Sequence, residues 1–294
     1  MSNIRSQWER LAGLAALATL HDRLEDIGST VQGLEGRIND VRARGYAFGR
    51  GWEDEAISLR RQWSARSRDA TRLLEKERRV LRSAADDAED LLRRAQRSPA
   101  LADTAENRLR ELERRINEAE NRINGSFDQT WNEIRQLESE LDRTDFLLEN
   151  LGSASFRLYP DEHAVAATDA EWMAQGSEPI KGLLFLTDGR LIFEQREEIV
   201  TKKFLFIARE KEMVQELLWQ APVGGIEVLA MEDKSGFLKA RKELLTLRLE
   251  GTDGPPQVIL NIKGSDNETW AQLLRRASEG QFEAERFDAP PPGT

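Results

Sequence analysis

Six cations in the second half of the chain are the residues best suited to touch an anionic ligand. Lys202 and Lys203 are adjacent, and Lys234, Lys239, Arg241 and Lys242 surround a Gly236-Phe-Leu238 tip. A basic loop with an exposed Phe-Leu tip suits an anionic membrane surface, because the apolar tip enters the headgroup boundary while the cations meet phosphate. Against this, Glu232, Asp233 and Glu243 dilute the second cluster. The preferred expectation places Phe237 and Leu238 in a protein core and leaves the cations in water. Arg190 stands alone in a Thr187-Asp-Gly-Arg turn. A single guanidinium there pairs more readily with a nearby carboxylate or solvent than it builds a phosphate site.

Catalytic patterns are missing. The sequence has no glycine-rich phosphate loop followed by Lys-Ser/Thr, no Gly-x-Ser-x-Gly and no metal-ligand spacing. Glu197 and Glu198 are adjacent, which marks a solvated face. Cysteine is absent, and His21 and His163 lie far apart, so no thiol nucleophile, disulfide framework or histidine-based metal site is expected. The expectation is a chain without enzymatic activity, metal or cofactor.

The net charge of −10 is unevenly spread, at −3 over residues 1–150 and −7 over residues 151–294. Neither half has the basic excess of a general nucleic-acid binder. No stretch reads as a signal peptide or a transmembrane span, since Leu11–Leu20 is too short and is interrupted by Gly13. A cytoplasmic location follows as the expectation, with peripheral membrane contact as the alternative.

The elements that must position these residues change character near residue 150. Leu17, Leu20, Leu24, Ile27, Val31, Leu34, Ile38 and Val41 repeat at steps of three and four, a heptad seam. Gly45-Tyr-Ala-Phe-Gly-Arg-Gly-Trp52 interrupts it and predicts a turn, with Phe48 and Trp52 packing locally. A small, alanine-rich seam then runs through Leu59, Trp63, Ala70, Leu74, Leu81, Ala84, Ala88, Leu91 and Ala95. Ser98-Pro99 reads as N-cap and first residue of a third helix. That helix carries Leu109, Leu112, Ile116, Ala119 and Ile123. It shifts phase near Gly125 and continues through Phe127, Trp131, Ile134, Leu137, Leu141 and Leu148. The expected architecture for residues 1–150 is a helical coiled coil folded back on itself, with a continuous parallel dimer as the alternative.

Beyond a Leu151-Gly-Ser-Ala154 linker the period becomes strand-like. Strands are expected at Val165–Met173, on either side of Asp188-Gly189, and at Ile226–Met231, Glu243–Glu250 and Gln257–Ile262. Asp188-Gly189 predicts a type I′ hairpin turn. Arg209–Trp219 reads as a short helix, with an apolar strand as the competitor. Ser265 and Glu268 form a capping box before an amphipathic helix bearing Trp270, Leu273, Leu274 and Ala277, and Gly280 ends it.

The hairpin Gly182-x-Leu-x-Leu-Thr-Asp-x-Arg-Leu-Ile-Phe193 resembles the second and third strands of GRAM and bacterial PH-like domains. The resemblance covers residues 160–280 and implies a bent antiparallel sheet plugged by the terminal helix. The long segment 197–220 departs from the family pattern. Such domains often bind phosphoinositides through basic residues in the first strand loops, but Gly176-Ser-Glu-Pro179 offers none.

The expected fold class is α+β. Residues 1–150 form the coiled coil, 155–285 a PH/GRAM-like partial barrel, and 286–294 a disordered tail. The expected function is an adaptor or scaffold. The coiled coil would dock a protein partner or self-associate, and the second domain would bind a protein. The alternative is a peripheral membrane protein, using the basic residues above or the helix face of Ile4, Trp8, Leu11 and Ala15.

Overall fold

The computed structural model describes residues 2–174, 178–204, 207–236 and 239–287, with side chains for all of these except 2, 199–204, 207–212, 234–236 and 239–241. Among them, five helices come first: α1 (Ser2–Leu14), α2 (Ala18–Ala43), α3 (Trp52–Arg97), α4 (Ala102–Gly125) and α5 (Asp128–Gly152). Seven strands follow: β1 (Ala164–Trp172), β2 (Ile180–Thr187), β3 (Arg190–Phe204), β4 (Ile207–Pro222), β5 (Ile226–Gly236), β6 (Lys239–Leu249) and β7 (Gln257–Ile262). Helix α6 (Asn267–Ser278) closes the order. The fold class is therefore α+β, in the element order that the PH resemblance implies. No helix among the described residues is long and apolar enough to cross a membrane.

The chain packs into two units whose boundaries are not those of its sequence halves. One comprises the chain up to Arg37 with Trp52–Glu138; the other comprises Ile38–Gly51 with the chain from Ser139 onward.

In the first unit the helices fold back on one another. Arg60 pairs with Glu35 at 2.8 Å, and Arg78 Nε donates to Ala16 O at 2.7 Å. These two contacts make α3 antiparallel to the segment holding α2. Arg122 grips Glu77 through two hydrogen bonds, and Arg108 reaches Asp87 at 3.2 Å, so α4 is antiparallel to α3. The heptad seam of α2 is buried as its spacing predicts. On α3 the buried residue is Leu92, with Leu91 only half-buried. The α1 face of Ile4, Leu11 and Ala15 is also buried, and Trp8 donates to Ala85 O. That face packs against protein, which corrects the expectation that it could meet lipid.

Three breaks differ from expectation. Residues 102–150 form two helices, because the backbone turns at Ser126 and Phe127, where Ser126 Oγ donates to Ile123 O. Gly125 and Ser126 weaken the helix, since glycine costs entropy and the serine hydroxyl competes for backbone. The turn keeps Phe127 buried edge-on against Trp63, centroids 5.9 Å apart. Helix α1 stops before Leu17, a buried residue at φ 49°. Burial of that leucine offsets a left-handed conformation costing about 1–3 kcal/mol. Ser98 precedes a short 3₁₀ turn, Pro99–Leu101, and makes no side-chain capping bond, and Leu101 is the N-cap of α4.

In the second unit the strand order is β4-β3-β2-β1-β7-β6-β5, every pair antiparallel. The 209–219 stretch is strand β4, not a helix. It pairs with β3 along its length, placing Trp219 and Ala221 in the core. A spacing of apolar residues that suits either period is resolved by the hydrogen-bonding partner. The run Leu183–Leu186 is buried at every position because β2 and β3 are covered on both faces. One face packs on Leu247, Leu260 and Trp270, the other on Leu147 and Phe156. Leu147, not Leu148, is the buried position near the end of α5. Gly182 allows β3 to approach, since a Cβ there would lie 2.1 Å from Glu194 O.

The loop Gly45–Gly51 does not pack locally. Phe48 is 2% exposed in the main core of the sheet unit, against Phe282. Its neighbour Tyr46 donates to Val165 O, and burial pushes its phenol up to about 12. Arg42 donates to the carbonyls of Tyr46, Phe48 and Gly49 and lies over the Phe287 ring at 4.3 Å. Phe287 N donates to Ala47 O, so Arg286 and Phe287 belong to the packed structure and not to the expected tail. The N-cap of α6 is Asp266, which accepts from Thr269 N; the expected Ser265 box is displaced by one residue.

Two outcomes are expected. Spin labels at Arg23 and Arg72, bracketed by the Glu35–Arg60 and Ala16–Arg78 contacts, should lie within about 30 Å in one chain, given helix spacings of 8–10 Å plus the label arms. A distance near 70 Å, as in a straight helix, would contradict the fold-back. Phe48→Ala should cost the sheet unit about 3–5 kcal/mol, as for other core aromatics, in denaturant titration followed by near-UV circular dichroism. A loss below about 1 kcal/mol would mean the loop is dispensable.

Candidate binding surfaces of the sheet unit

The β2–β3 turn is built by side chains. Neither Asp188 nor Gly189 has positive φ, so the turn is not the expected type I′. Instead, Thr187 Oγ1 accepts from Gly189 N and Arg190 N, at 3.1 and 2.8 Å. Asp188 Oδ1 accepts from His163 N at 2.9 Å. The Thr187 hydroxyl satisfies the turn N–H groups without left-handed backbone, and the Asp188 carboxylate ties the turn to the residue before β1.

This turn aims Arg190 inward. Its side chain is 8% exposed and pairs with Glu162, 5% exposed, through Nε–Oε1 at 2.8 Å and Nη2–Oε2 at 2.9 Å. Nη2 also donates to Arg157 O and Nη1 to Gln220 Oε1. The exposed ring of Tyr159 stacks on the guanidinium at 4.0 Å. The expectation that Arg190 pairs with a carboxylate is met, by a residue the sequence did not single out. Burial pushes the Glu162 carboxyl up, but hydrogen bonds from Arg190, Thr187 and Tyr159 N outweigh it and hold the group below its ordinary value.

A cavity of about 470 Å³ opens beside this pair, lined by Tyr159, Asp161, Glu162, Asp188, Arg190 and Asp253 among others. Its four carboxylates surround a guanidinium already committed to four hydrogen bonds. The electrostatics oppose a phosphate there. No group of three or more metal-ligating side chains occurs among the described residues.

The six predicted cations are not brought together. Lys202 and Lys203 lie in β3, in register with Glu210 and Ala208 of β4. Lys234 in β5 is in register with Lys242 in β6, Lys239 opposes Gly236, and Arg241 falls between. The two clusters thus occupy hairpins at opposite edges of the strand order. Among their side chains only that of Lys242, half-buried, is described. Phe237, Leu238 and Gly176-Ser177 of the first strand loop lie outside the described residues.

Sequence reasoning missed the surface apolar residues of the two edge strands. Met213 on β4 is 62% exposed, and Leu229 and Met231 on β5 are 38% and 49% exposed. The strand expected at Ile226–Met231 is present in β5, but only the strand order shows that it is an edge.

No family model matches the chain, and no curated protein matches it. Among solved structures it is similar to the DH/PH domains of PDZ-RhoGEF in complex with GTPγS-activated RhoA, with 12% identity, a TM-score of 0.29, and coverage of 95% of this chain and 92% of that one. A ternary complex of human RhoA, its inhibitor and the DH/PH domain of human ARHGEF11 gives 11% identity, a TM-score of 0.28 and the same coverages. The C-terminal domain of an unknown protein from Leishmania infantum gives 13% identity, a TM-score of 0.23, and coverage of 40% of this chain and 84% of that one. At these scores the likenesses say nothing about activity.

The buried pair generates a stability prediction. Glu162→Ala strands a buried guanidinium and should cost about 3–5 kcal/mol, whereas Glu162→Leu with Arg190→Met should recover most of that loss. Because the carboxyl is held low, its contribution is present above its ordinary value and is lost as pH falls through the lowered one. Acid titration of wild type against the Leu/Met variant should show the excess acid sensitivity only in wild type. Equal sensitivity would remove Glu162 from the stability of the unit.

Proposed function

We propose that the chain is a non-enzymatic adaptor, in which the helical unit serves partner docking or self-association and a PH/GRAM-like sheet unit binds a protein. The observation that carries this reading is where the exposed large apolar side chains of the sheet unit lie. Met213, Leu229 and Met231 sit on its two edge strands, with Tyr159 the remaining one among the described residues. Exposed apolar groups on a sheet edge suit partner strands and helices better than solvent. The described ionisable cluster with the most buried geometry, Arg190–Glu162, is spent on internal hydrogen bonds and offers no acid, base or nucleophile. The net charge of −7 over residues 151–294 also opposes phosphate-rich partners.

One observation favours a second reading, peripheral binding to anionic lipid. Lys234 and Lys242 share a register position across β5 and β6. Like charges directly opposite each other are unfavourable unless an anion relieves them. Screening at about 8 Å would let such a pair act locally despite distant carboxylates.

Flotation with phosphatidylserine vesicles at physiological salt separates the two. The adaptor reading expects neither wild type nor the Lys239→Glu, Arg241→Glu, Lys242→Glu variant to float. It also expects a photo-crosslinker at Met213 or Leu229 to capture protein in cells of the source organism. Flotation of wild type that the variant abolishes would replace the adaptor reading with the membrane one.

A further inference from the structure

We infer that the cavity beside the Arg190–Glu162 pair is a recognition pocket for a lysine side chain, presented by the protein partner. The inference rests on the adaptor reading and names the group that the partner brings.

The cavity is preformed. Val223 N donates to Gly189 O, Glu162 N to Tyr159 O and Thr252 Oγ1 to Gln220 O. Arg190 adds hydrogen bonds to Glu162, Gln220 and Arg157 O. The four segments that wall the space, around residues 160, 189, 221 and 252, are therefore tied to one another. At about 470 Å³ the space has the size of a ligand site. A site held in this way loses little freedom on binding.

Charge selects a cation. Four carboxylates line the cavity, Asp161, Glu162, Asp188 and Asp253, against one cation, Arg190. Glu162 and Arg190 cancel in their own pair. Asp188 is held by His163, through the backbone N–H and the ring. Asp161 and Asp253 remain. Neither has a hydrogen bond or ion pair among the described residues. The neighbouring cations Arg157 and Arg286 are not part of the lining.

The walls select the stem. Pro160, Pro222 and the ring of Tyr159, which is 59% exposed, put apolar surface in the same cavity as the uncommitted carboxylates. A cation that fits both carries methylenes along the apolar wall and its charge at the end. Arginine has a further advantage elsewhere, because its planar head stacks on aromatic faces. Here Arg190 already holds that place on Tyr159, at 4.0 Å. A point charge on an apolar chain is what the remaining surface fits, and that is lysine.

The test uses the full chain and two capped peptides, acetyl-Gly-Lys-Gly-amide and acetyl-Gly-norleucine-Gly-amide, which share the apolar stem and differ in the ammonium group. Amide shifts are followed by NMR at physiological salt. The lysine peptide should give saturable shifts at Asp161, Glu162, Gly189, Arg190 and Asp253, and should bind about tenfold or more tighter than the norleucine peptide. Asp161→Asn with Asp253→Asn, both at exposed positions outside the ion pair, should weaken lysine binding by about tenfold or more and leave the circular dichroism spectrum unchanged. Absent shifts, equal binding of the norleucine peptide, or binding unaffected by the double asparagine variant would overturn the inference. If a crosslinker at Met213 or Leu229 captures protein and the lysine peptide does not bind, the adaptor reading survives and the pocket assignment falls. If the lysine peptide binds but crosslinkers at Met213, Leu229 and Tyr159 all capture no protein, the partner as source of the lysine falls together with the adaptor reading.

Discussion

The second unit depends on Phe48. This aromatic belongs by sequence to the helical half, between two long helices, yet its side chain fills the core formed by the sheet and α6. A loop can occupy a core only if its backbone polar groups are satisfied. Arg42 does this, donating to the carbonyls of Tyr46, Phe48 and Gly49, while Phe287 N donates to Ala47 O. The three glycines with positive φ, Gly45, Gly49 and Gly51, give the chain the tight reversals needed to enter and leave. An excised 160–280 fragment would therefore lack Phe48, Leu147, Phe156 and Phe282, and cannot be treated as a complete domain.

A second constraint acts at the other face of β2 and β3. Glu194 is fully buried and accepts from Ser155 N and Gln215, while Arg196 binds Asn150 and Ser153 at the end of α5. The linker is thus held by charged hydrogen bonds, which are stronger than neutral ones. Its Gly-Ser composition marked it only as a linker. The buried Arg190–Glu162 pair plays the corresponding part at the hairpin turn, where breaking one partner costs far more than replacing both.

Much of this was legible in the residues. Heptad spacing located the α2 seam, and the alternation of Leu245, Leu247 and Leu249 located β6. The Trp270, Leu274 and Ala277 face of α6 is buried as its period requires. What could not be read involved choices made by distant partners. Met213 to Leu218 suit helix or strand, and pairing with β3 decides. Asp188-Gly189 suits a type I′ turn, but the Thr187 hydroxyl offers another solution. The edge position of β5 is a property of strand order, which no local pattern encodes. The predicted cations form two clusters in the sequence, and the strand order keeps these clusters on separate hairpins, β3–β4 and β5–β6.

Native-state hydrogen exchange tests most directly whether Tyr46–Phe48 and the sheet form one cooperative body. Loop amides that contribute to the core should open with the same free energy as those of β2 and β3, and Phe48→Ala should lower both together while leaving the α3 and α4 amides of the first unit unchanged. Loop amides that exchange through a low-energy local opening, with β2 and β3 indifferent to Phe48→Ala, would contradict it.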